Sequence, residues 1–387
     1  MNRRLSLDVF QGKRILLLDG ITSQSIEYAK AFNALGCDTT VLCNDIFDAA
    51  YASRQPKHKI IGVSSSSDLA GTEQWILKLV ESDQYDVVLC FTEYSARILT
   101  EHKGELSKHA RIAINDRSVF DKAQDKNEVM RICMGNGIPC PGTFFGVETA
   151  SDIENEIRFP VILKPSHGFG SHGIHIAQNR RELSDIVNRY SLRLTETVIQ
   201  EYIPKGSLNV SENMFIDRNG EIKSSFTYAS YRFYPLDGGS GVLNVTIDRK
   251  DVHETAAKVA RLFHLRGPIG IDMIVDSRDD TPKVLEINLR PIACAKVGFL
   301  AGVNQAQQIL EDFFSDSVTP MMDYKSDVRV RRSQIDIMWF LKSPDRFRTK
   351  PSWFDWKNTT DQLFSWSDPL PWFSFWVYGI RKTLRER

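Results

Sequence analysis

The chain has 387 residues, of which 42% are hydrophobic and 25% are charged. This length exceeds what one hydrophobic core usually supports, so we expect two or three domains and exclude a single small module. Lysine plus arginine and aspartate plus glutamate both number 49, so the formal net charge is zero. A neutral chain has no overall attraction to polyanions, and we therefore expect no nucleic-acid partner.

Cysteine usage and hydropathy favour a cytoplasmic protein. The six cysteines are scattered without a CxxC pair or a Cys/His cluster at zinc spacing, which favours reduced thiols. Charged residues interrupt the N-terminus before the apolar region of a signal peptide can form, so export is not expected. The longest uncharged apolar stretch, residues 369–380, contains two prolines and is too short to span a bilayer.

Short apolar runs alternate with helix-like stretches over the first 115 residues. Runs at residues 14–18, 38–42, 86–90 and 111–115 have the length of buried strands, which predicts a doubly wound parallel sheet. The turn at residues 19–25 has one glycine where a dinucleotide-binding fold has three. We therefore predict a Rossmann-like domain over residues 1–118 that has no nicotinamide cofactor.

The second part of the chain has the pattern of an α+β fold. A helix is predicted over residues 121–136, where glycines at 135 and 137 end it. Further helices are predicted at about 180–190 and 250–264. The predicted strands cover residues 161–164, 173–177, 198–203, 208–216, 222–231, 269–275 and 284–287.

A glycine-rich loop follows a lysine at the end of a predicted strand. Lys164 precedes a loop that contains Gly168, Gly170, Ser171 and Gly173. Glycines let backbone N–H groups approach a phosphate closely, and the lysine supplies a mobile cation for the same anion. The alternative is a tight β-hairpin with an exposed lysine.

A second polar group lies on a later strand. Alternation places Glu286, Asn288 and Arg290 on one face, and Asp272 on the preceding strand faces them if the two strands form a hairpin. Carboxylate and amide oxygens suit Mg²⁺, and a guanidinium suits a transferred phosphoryl group. A salt bridge between Arg290 and Glu286 is the alternative interpretation.

Together these motifs resemble the ATP-grasp ligases, and the resemblance covers residues 12–315. It implies a small lobe over residues 119–195, a large lobe over residues 196–320 and an aromatic extension over residues 321–387. It also implies functions for individual residues. Lys126 and Lys164 match the lysines on the ATP phosphates, and the segment from Gly168 to Gly173 matches the loop that closes over them. The resemblance implies that Gln200, Glu201 and Ile203 contact adenine and that Asn209 contacts the ribose. It implies that Asp272, Glu286 and Asn288 bind Mg²⁺ or Mn²⁺. It also implies that Arg290 stabilises the phosphorylated intermediate.

The resemblance implies a reaction between a small-molecule carboxylate and an amine. ATP phosphorylates the carboxylate, and the amine displaces phosphate to form an amide. Two alternatives stay open: a bicarbonate-phosphorylating carboxylase or carbamoyl-phosphate-forming relative, and a non-catalytic ATP-binding sensor. The resemblance is also compatible with a homodimer.

Other polar residues have weaker signals. Arg232 and Lys296 are candidates for binding a substrate carboxylate, with a surface position as the alternative. Glu93 and Tyr94 follow a predicted strand, at the edge where α/β sheets bind ligands.

The last 57 residues differ in composition from the rest of the chain. They contain six of the seven tryptophans and an excess of basic residues. Residues 369–387 either pack their aromatic side chains on the body or contact the inner face of a membrane peripherally. This tail, with its D-P-L-P-aromatic element, resembles the tails of ATP-grasp proteins associated with bacterial surface polysaccharide synthesis. That resemblance implies an amino acid coupled to a sugar acid, and a free amino-acid or dipeptide ligase explains the motifs equally well.

Overall fold

The structure is a computed structural model. It describes residues 9–145, 147, 158–166, 173–236 and 239–385. The described residues form three β-sheets of five, four and seven strands, with helices packed on them.

The first sheet has five parallel strands in the order β3-β2-β1-β4-β5. A parallel sheet is the arrangement that the alternation of short apolar runs predicts, although the strand at residues 58–61 carries no such run and was not predicted. The strands are β1 Arg14–Leu17, β2 Asp38–Cys43, β3 His58–Ile61, β4 Val87–Leu89 and β5 Arg111–Ile112. The helices of this part are α1 Ser23–Ala34, α2 Ala49–Ala52, α3 Leu69–Val80, α4 Glu93–Glu101 and α5 Lys103–Leu106.

The helix predicted over residues 121–136 is wrong, because the chain forms two helices that meet at Asp125. Helix α6 covers Arg117–Gln124 and helix α7 covers Lys126–Gly135. Asp125 has extended backbone angles, and its carboxylate accepts hydrogen bonds from the next two N–H groups of α7. This is an N-cap, which starts a new helix where the apolar periodicity alone indicates continuity.

The second sheet has four antiparallel strands in the order β6-β9-β7-β8. Its strands are β6 Thr143–Phe144, β7 Val161–Pro165, β8 His175–Ala177 and β9 Thr197–Glu201, and helix α8 covers Arg180–Arg189. The strand predicted over residues 198–203 therefore ends at Glu201, and Ile203 lies beyond it.

The third sheet has seven strands in the order β14-β13-β10-β11-β12-β15-β16. Its strands are β10 Leu208–Ile216, β11 Ile222–Tyr234, β12 Ser240–Ile247, β13 Gly267–Val275, β14 Pro282–Asn288, β15 Arg329–Arg331 and β16 Thr359–Asp361. The remaining helices are α9 Lys250–Leu262, α10 Ala295–Ala301, α11 Gln305–Phe314, α12 Ser333–Lys342 and α13 Leu370–Arg385. Strands β15 and β16, which come from the aromatic tail, thus extend the same sheet that carries the predicted metal ligands.

The hydrophobic core is continuous between the first and third sheets. Leu16 and Leu18 of the β1 region belong to one buried cluster, which also contains Ile271 of β13. Ile15 and Leu17 belong to a second cluster, which also contains Ile309 of α11. Both faces of β1 are therefore buried, as expected for a strand in a parallel sheet that is covered on two sides.

A buried ion-pair network attaches α12 to the third sheet. Asp336 accepts hydrogen bonds from Arg232 at 2.7 and 2.9 Å and also from Arg331. The three side chains are at most 1% exposed, and the Arg331 guanidinium lies 3.8 Å from the centre of the Trp356 ring. Both alternatives for Arg232 are therefore wrong, because its charge is buried and paired within the protein.

We expect Asp336→Ala to lower the free energy of unfolding by about 3–5 kcal/mol, because two buried guanidinium groups lose their counter-charge. Asp355→Ala is the matched control, since it removes the carboxylate that pairs with Arg329 at the surface. That variant should unfold close to the wild-type denaturant midpoint. Equal midpoints for the two variants, measured by urea unfolding, would contradict a stabilising role for the buried network.

Candidate active site

A cavity of about 470 Å³ lies between the second and third sheets. It brings together most residues that the sequence singles out: Lys126, Lys164, Gln200, Glu201, Ile203, Asn209, Asp272 and Glu286. Asn288 and Arg290 line an adjoining cavity of about 140 Å³, which shares Lys126, Asp272 and Glu286 with the larger one. Gly168, Gly170 and Ser171 lie outside the described residues.

The break between α6 and α7 positions Lys126. Because Asp125 caps the new helix, Lys126 is its first residue, and its N–H donates to the Ser166 carbonyl at 3.2 Å. This bond ties the start of α7 to the segment that follows β7. The Lys126 Nζ lies 3.7 Å from Glu286 Oε2 on β14.

Lys164 projects from β7 into the same charged region. Burial lowers the pKa of Lys164 to about 8, while the Glu286 carboxylate opposes this shift and the charge of Lys126 adds to it. Two ammonium groups held close together in a desolvated space favour binding of an anion that neutralises both. The geometry therefore supports the phosphate-binding interpretation over an exposed hairpin lysine.

Gly173 leads from the glycine-rich segment towards β8. Its φ of +72° is the left-handed conformation that favours glycine, and a Cβ here would lie 3.1 Å from Cγ of Pro165. Gly173 therefore has a backbone requirement for its identity, although it does not line either cavity.

Two carboxylates lie side by side on the hairpin formed by β13 and β14. Asp272 and Glu286 are direct partners in this antiparallel pairing, as the sequence predicts. Burial and the neighbouring Glu286 charge raise the pKa of Asp272, and hydrogen bonds from Ser211 and Asn288 partly offset the shift. Asn288 Nδ2 donates to Asp272 Oδ2 at 2.9 Å, which leaves the Asn288 amide oxygen for another ligand.

This donor set fits a divalent cation. Among the described residues, no group of three or more His, Cys, Asp or Glu side chains is placed to hold a metal. Two carboxylates and one amide oxygen instead suit Mg²⁺, which binds few protein oxygens and completes its shell with phosphate oxygens and water. A cation here would also offset the burial and the repulsion from Glu286, which together raise the pKa of Asp272.

Arg290 lies just past the end of β14 and pairs with Glu93 of helix α4. Its Nη2 lies 2.7 Å from Glu93 Oε1, and both side chains are largely buried. Glu93 is in the first turn of α4, directly after the N-cap Thr92. The alternative salt bridge to Glu286 is not observed among the described ion pairs, and the Arg290 Nε has no hydrogen-bond partner in this part of the chain.

The opposite end of the cavity contains the residues predicted to bind adenine. Gln200 is buried and donates from Nε2 to Thr143 Oγ1 at 2.7 Å. The Glu201 carboxylate accepts a hydrogen bond from Arg278, and the backbone N–H of Glu201 donates to the Gly142 carbonyl. The Ile203 N–H meets no acceptor among the described residues, so it is available to a ligand.

Lys296 and Tyr94, two candidates with weaker sequence signals, bind other groups of the protein. Lys296 Nζ lies 3.1 Å from Glu27 Oε1 of α1, and both side chains are nearly buried. The Tyr94 hydroxyl donates to the Ser64 carbonyl at 3.3 Å. Lys296 is therefore neither a free substrate cation nor a surface residue, and it joins α10 to the first part of the chain.

Several cavity residues carry no signal in the sequence. Ser211 and Tyr228 lie under the carboxylates, whereas Arg332 and Gln362 come from the aromatic tail. A hydroxyl or an amide within an apolar strand does not identify a site by itself. Arg332 and Gln362 become visible only because β15 and β16 join the third sheet.

Comparison with known proteins finds an ATP-grasp match for the central part of the chain. Residues 123–294 match the family model of the ATP-grasp domain. The D-aspartate ligase of Enterococcus faecium is 26% identical over 252 residues, which cover 60% of this chain and 59% of the ligase. The carbamoyl phosphate synthase large chain of Saccharolobus islandicus is 21% identical over 281 residues, 70% of this chain but only 25% of that protein.

Solved structures extend the similarity of fold to most of the chain. The biotin carboxylase of Campylobacter jejuni superposes with a TM-score of 0.68 over 83% of this chain and 75% of its own, at 15% identity. Both curated relatives extend well beyond the matched region, so these comparisons show the fold and one matched domain and leave the substrates open. The chain therefore contains an ATP-grasp domain over residues 123–294, and the lysines and carboxylates that meet in the cavity lie within this domain.

Proposed function

We propose that this protein is an ATP- and Mg²⁺-dependent carboxylate–amine ligase that forms an amide through an acyl phosphate. One observation carries the proposal. Lys126 and Lys164 meet the carboxylates of Asp272 and Glu286 at one cavity, so phosphate-binding cations and metal-binding oxygens share a single site.

Each group has a distinct task in this proposal. Lys126 and Lys164 bind the phosphates of ATP, while the free N–H of Ile203 and the polar groups near Gln200 hold the base. Asp272, Glu286 and Asn288 hold Mg²⁺, which supplies positive charge to the phosphate oxygens when it is bound. Arg290, held by Glu93, stabilises negative charge on the phosphoryl group as it moves. Asn209 lines the cavity and is proposed to contact the ribose.

The reaction balances with these groups alone. An oxygen of the substrate carboxylate bonds to the γ-phosphorus of ATP, the bond to the β–γ bridging oxygen breaks, and ADP leaves. The nitrogen of a neutral amine then attacks the acyl carbon, the carbon–oxygen bond to phosphate breaks, and inorganic phosphate and one proton are released. Phosphoryl transfer depends mainly on positioning and charge stabilisation, which suits a site rich in lysine, arginine and metal-binding oxygens.

The relatives support an amine as the second substrate. The proteins similar to this chain include a D-aspartate ligase, whose name states that it joins an amino acid. Phosphorylation of bicarbonate is the alternative, because a carbamoyl phosphate synthase is also similar. The two functions differ in the acid that triggers phosphate release, so one assay distinguishes them.

We expect Glu286→Gln to reduce Mg²⁺-dependent phosphate release by on the order of 100-fold or more, because the metal loses a charged ligand. Phosphate release is measured with ATP, Mg²⁺ and a panel of amino acids, amino-acid pairs, uronic acids and bicarbonate. Glu221→Gln, which alters an exposed carboxylate paired with Lys223, is the matched control. Release with bicarbonate alone would support the alternative, and full activity of Glu286→Gln would contradict the metal assignment.

Lys164→Ala should weaken ADP binding by about 10- to 100-fold, the effect expected when a charge-assisted hydrogen bond is lost. Binding is measured by calorimetry in the presence of Mg²⁺, with exposed Lys108→Ala as the control. An unchanged dissociation constant for Lys164→Ala would show that this lysine does not contact the phosphates.

We also propose that α13 contacts a membrane peripherally through its exposed side, while its other side packs on the rest of the protein. Ser374 and Trp372 bond to Phe47 and Ser333, so one side of the helix packs on the protein. The opposite side exposes an apolar stripe of residues at helical spacing: Leu370, Phe373, Val377 and Ile380. Of the helices in the described ranges, none has the length and apolar character that a membrane span requires.

The double variant Phe373→Ser/Ile380→Ser should lose most of the liposome binding of the wild-type chain, because it removes exposed apolar area and leaves the packed side unchanged. Co-sedimentation with vesicles of anionic and neutral lipids measures the binding. Leu341→Ser, at another exposed apolar residue, is the control. Absence of wild-type binding to either vesicle would reject membrane contact.

A further inference from the structure

A second cavity of about 320 Å³ lies between the first sheet and the tail. One wall is formed by residues 21–24, at the start of α1, together with Phe47 and Ala49, and all of them belong to the first part of the chain. The other wall comes from α12, from residues 362–363 and from Phe375 and Tyr378 of α13. The tail therefore encloses a space that the first sheet would otherwise leave open on this side.

The second cavity adjoins the nucleotide cavity. Four residues, Ser240, Ala293, Arg332 and Gln362, line both spaces. None of the lysines or carboxylates proposed to bind ATP and Mg²⁺ lines the second cavity. A molecule held there lies beside the phosphorylation site without occupying it, which is the position required of a second substrate.

Arg332 is the charged residue of this cavity, and the remaining described lining residues are neutral. Its N–H continues the pairing of β15 by donating to the Val242 carbonyl. Its guanidinium forms no ion pair within the described part of the chain, whereas Arg329 and Arg331 are both paired. Burial lowers the pKa of Arg332, which indicates a cation without sufficient compensation from its surroundings.

Asp361, the carboxylate whose charge acts on Arg332, is engaged by other donors. Asp361 accepts hydrogen bonds from the N–H groups of Ser333, Leu363 and Phe364. Its charge acts on Arg332 from a distance, since the two side chains do not form an ion pair. Arg332 is therefore available for a ligand that carries one negative charge.

Two neighbouring amides also have unused hydrogen-bonding capacity. Gln362 is 4% exposed, and its Nε2 donates to the Ala293 carbonyl at 2.8 Å, which fixes the orientation of the amide. Its Oε1 accepts no hydrogen bond from the described residues, and Nε2 of the buried Gln334 likewise has no partner there. Buried polar atoms are rarely left unpaired, so these groups at the cavity wall indicate a polar ligand.

We propose that the second cavity binds the amine substrate of the ligase, and that this substrate carries a carboxylate of its own, as an amino acid does. The inference rests on the proposed function and adds the class of the second substrate. Arg332, a specificity-determining residue, binds the carboxylate through a charge-assisted, bidentate pair. The Gln362 amide oxygen accepts from the amine, and Phe47, Phe375 and Tyr378 surround the apolar part of the molecule.

The charge count favours a carboxylate over a phosphate. One unpaired guanidinium balances one negative charge, whereas a phosphate monoester carries close to two charges at neutral pH. Because Arg332 lines both cavities, a carboxylate bound there leaves the amine of the same molecule near the shared wall, on the side of the nucleotide cavity.

The test uses the full chain with ADP and Mg²⁺ and a panel of α-amino acids of both configurations. Each amino acid is paired with the primary amine that lacks its carboxylate. Binding is measured by saturation-transfer NMR and by thermal shift, so that it does not depend on turnover. At least one amino acid should bind, and its decarboxylated partner should bind on the order of 10- to 100-fold more weakly, as expected when a hydrogen bond to a charged group is lost.

Arg332→Gln should weaken amino-acid binding to the same extent and remove the preference over the matched amine. Arg332→Lys keeps the charge and should retain part of the affinity. Arg329→Gln, three residues earlier on β15 and paired with Asp327 and Asp355, is the control and should bind as wild type does. Cooperative thermal unfolding and an unchanged far-UV circular dichroism spectrum confirm that each variant is folded.

The outcomes separate this inference from the proposed function. If no amino acid binds the wild type, or if Arg332→Gln binds as tightly as wild type, the subsite is rejected even when phosphate release supports a ligase. If amino acids bind through Arg332 but no acid triggers phosphate release with any amine, the subsite is supported and the proposed ligase function fails.

Discussion

The pairing of β13 with β14 is the constraint on which the site depends. Its register places Asp272 opposite Glu286, and this forces two carboxylates together in a partly buried space. Burial and the repulsion from Glu286 raise the pKa of Asp272, and Lys126 and Lys164 approach from the other side of the cavity. Without ligands, the four charges compensate one another incompletely. A metal ion and a polyphosphate would satisfy both sets at once.

The first part of the chain contributes to this site by positioning other side chains through ion pairs. Glu93 fixes Arg290 at the end of β14, and Glu27 pairs with Lys296 a few residues later. Both ion pairs join elements that are far apart in the sequence and nearly buried, so they hold the first and third sheets in one arrangement. The hydrophobic clusters of β1 likewise continue into β13 and α11. Arg290 thus depends on a residue outside the ATP-grasp match at residues 123–294.

The sequence predicts the main strands of the site because each is a compact apolar run. The predicted range for β10 agrees with the structure, and the hairpin that joins Asp272 to Glu286 forms as predicted. Local patterns fail where a residue's partner is distant. Arg232 looks like any exposed arginine until Asp336, 104 positions later, is brought to it. The break at Asp125 was missed because helical periodicity runs through it, although an N-cap carboxylate is a local signal.

Arg331 and Arg332, at the end of β15, have different functions: one attaches helix α12 and the other reaches the cavities. Side chains alternate along extended backbone, and the N–H of Arg332 continues the pairing that begins in β15. Arg331 therefore points to Asp336 and anchors α12, whereas Arg332 points to the opposite side and reaches both cavities. A cation removed from water normally requires a counter-charge, and the described residues supply one to Arg331 but none within ion-pair distance to Arg332. The same segment that attaches the tail thus presents an unsatisfied charge to the site, and a substrate carboxylate is the group that completes it.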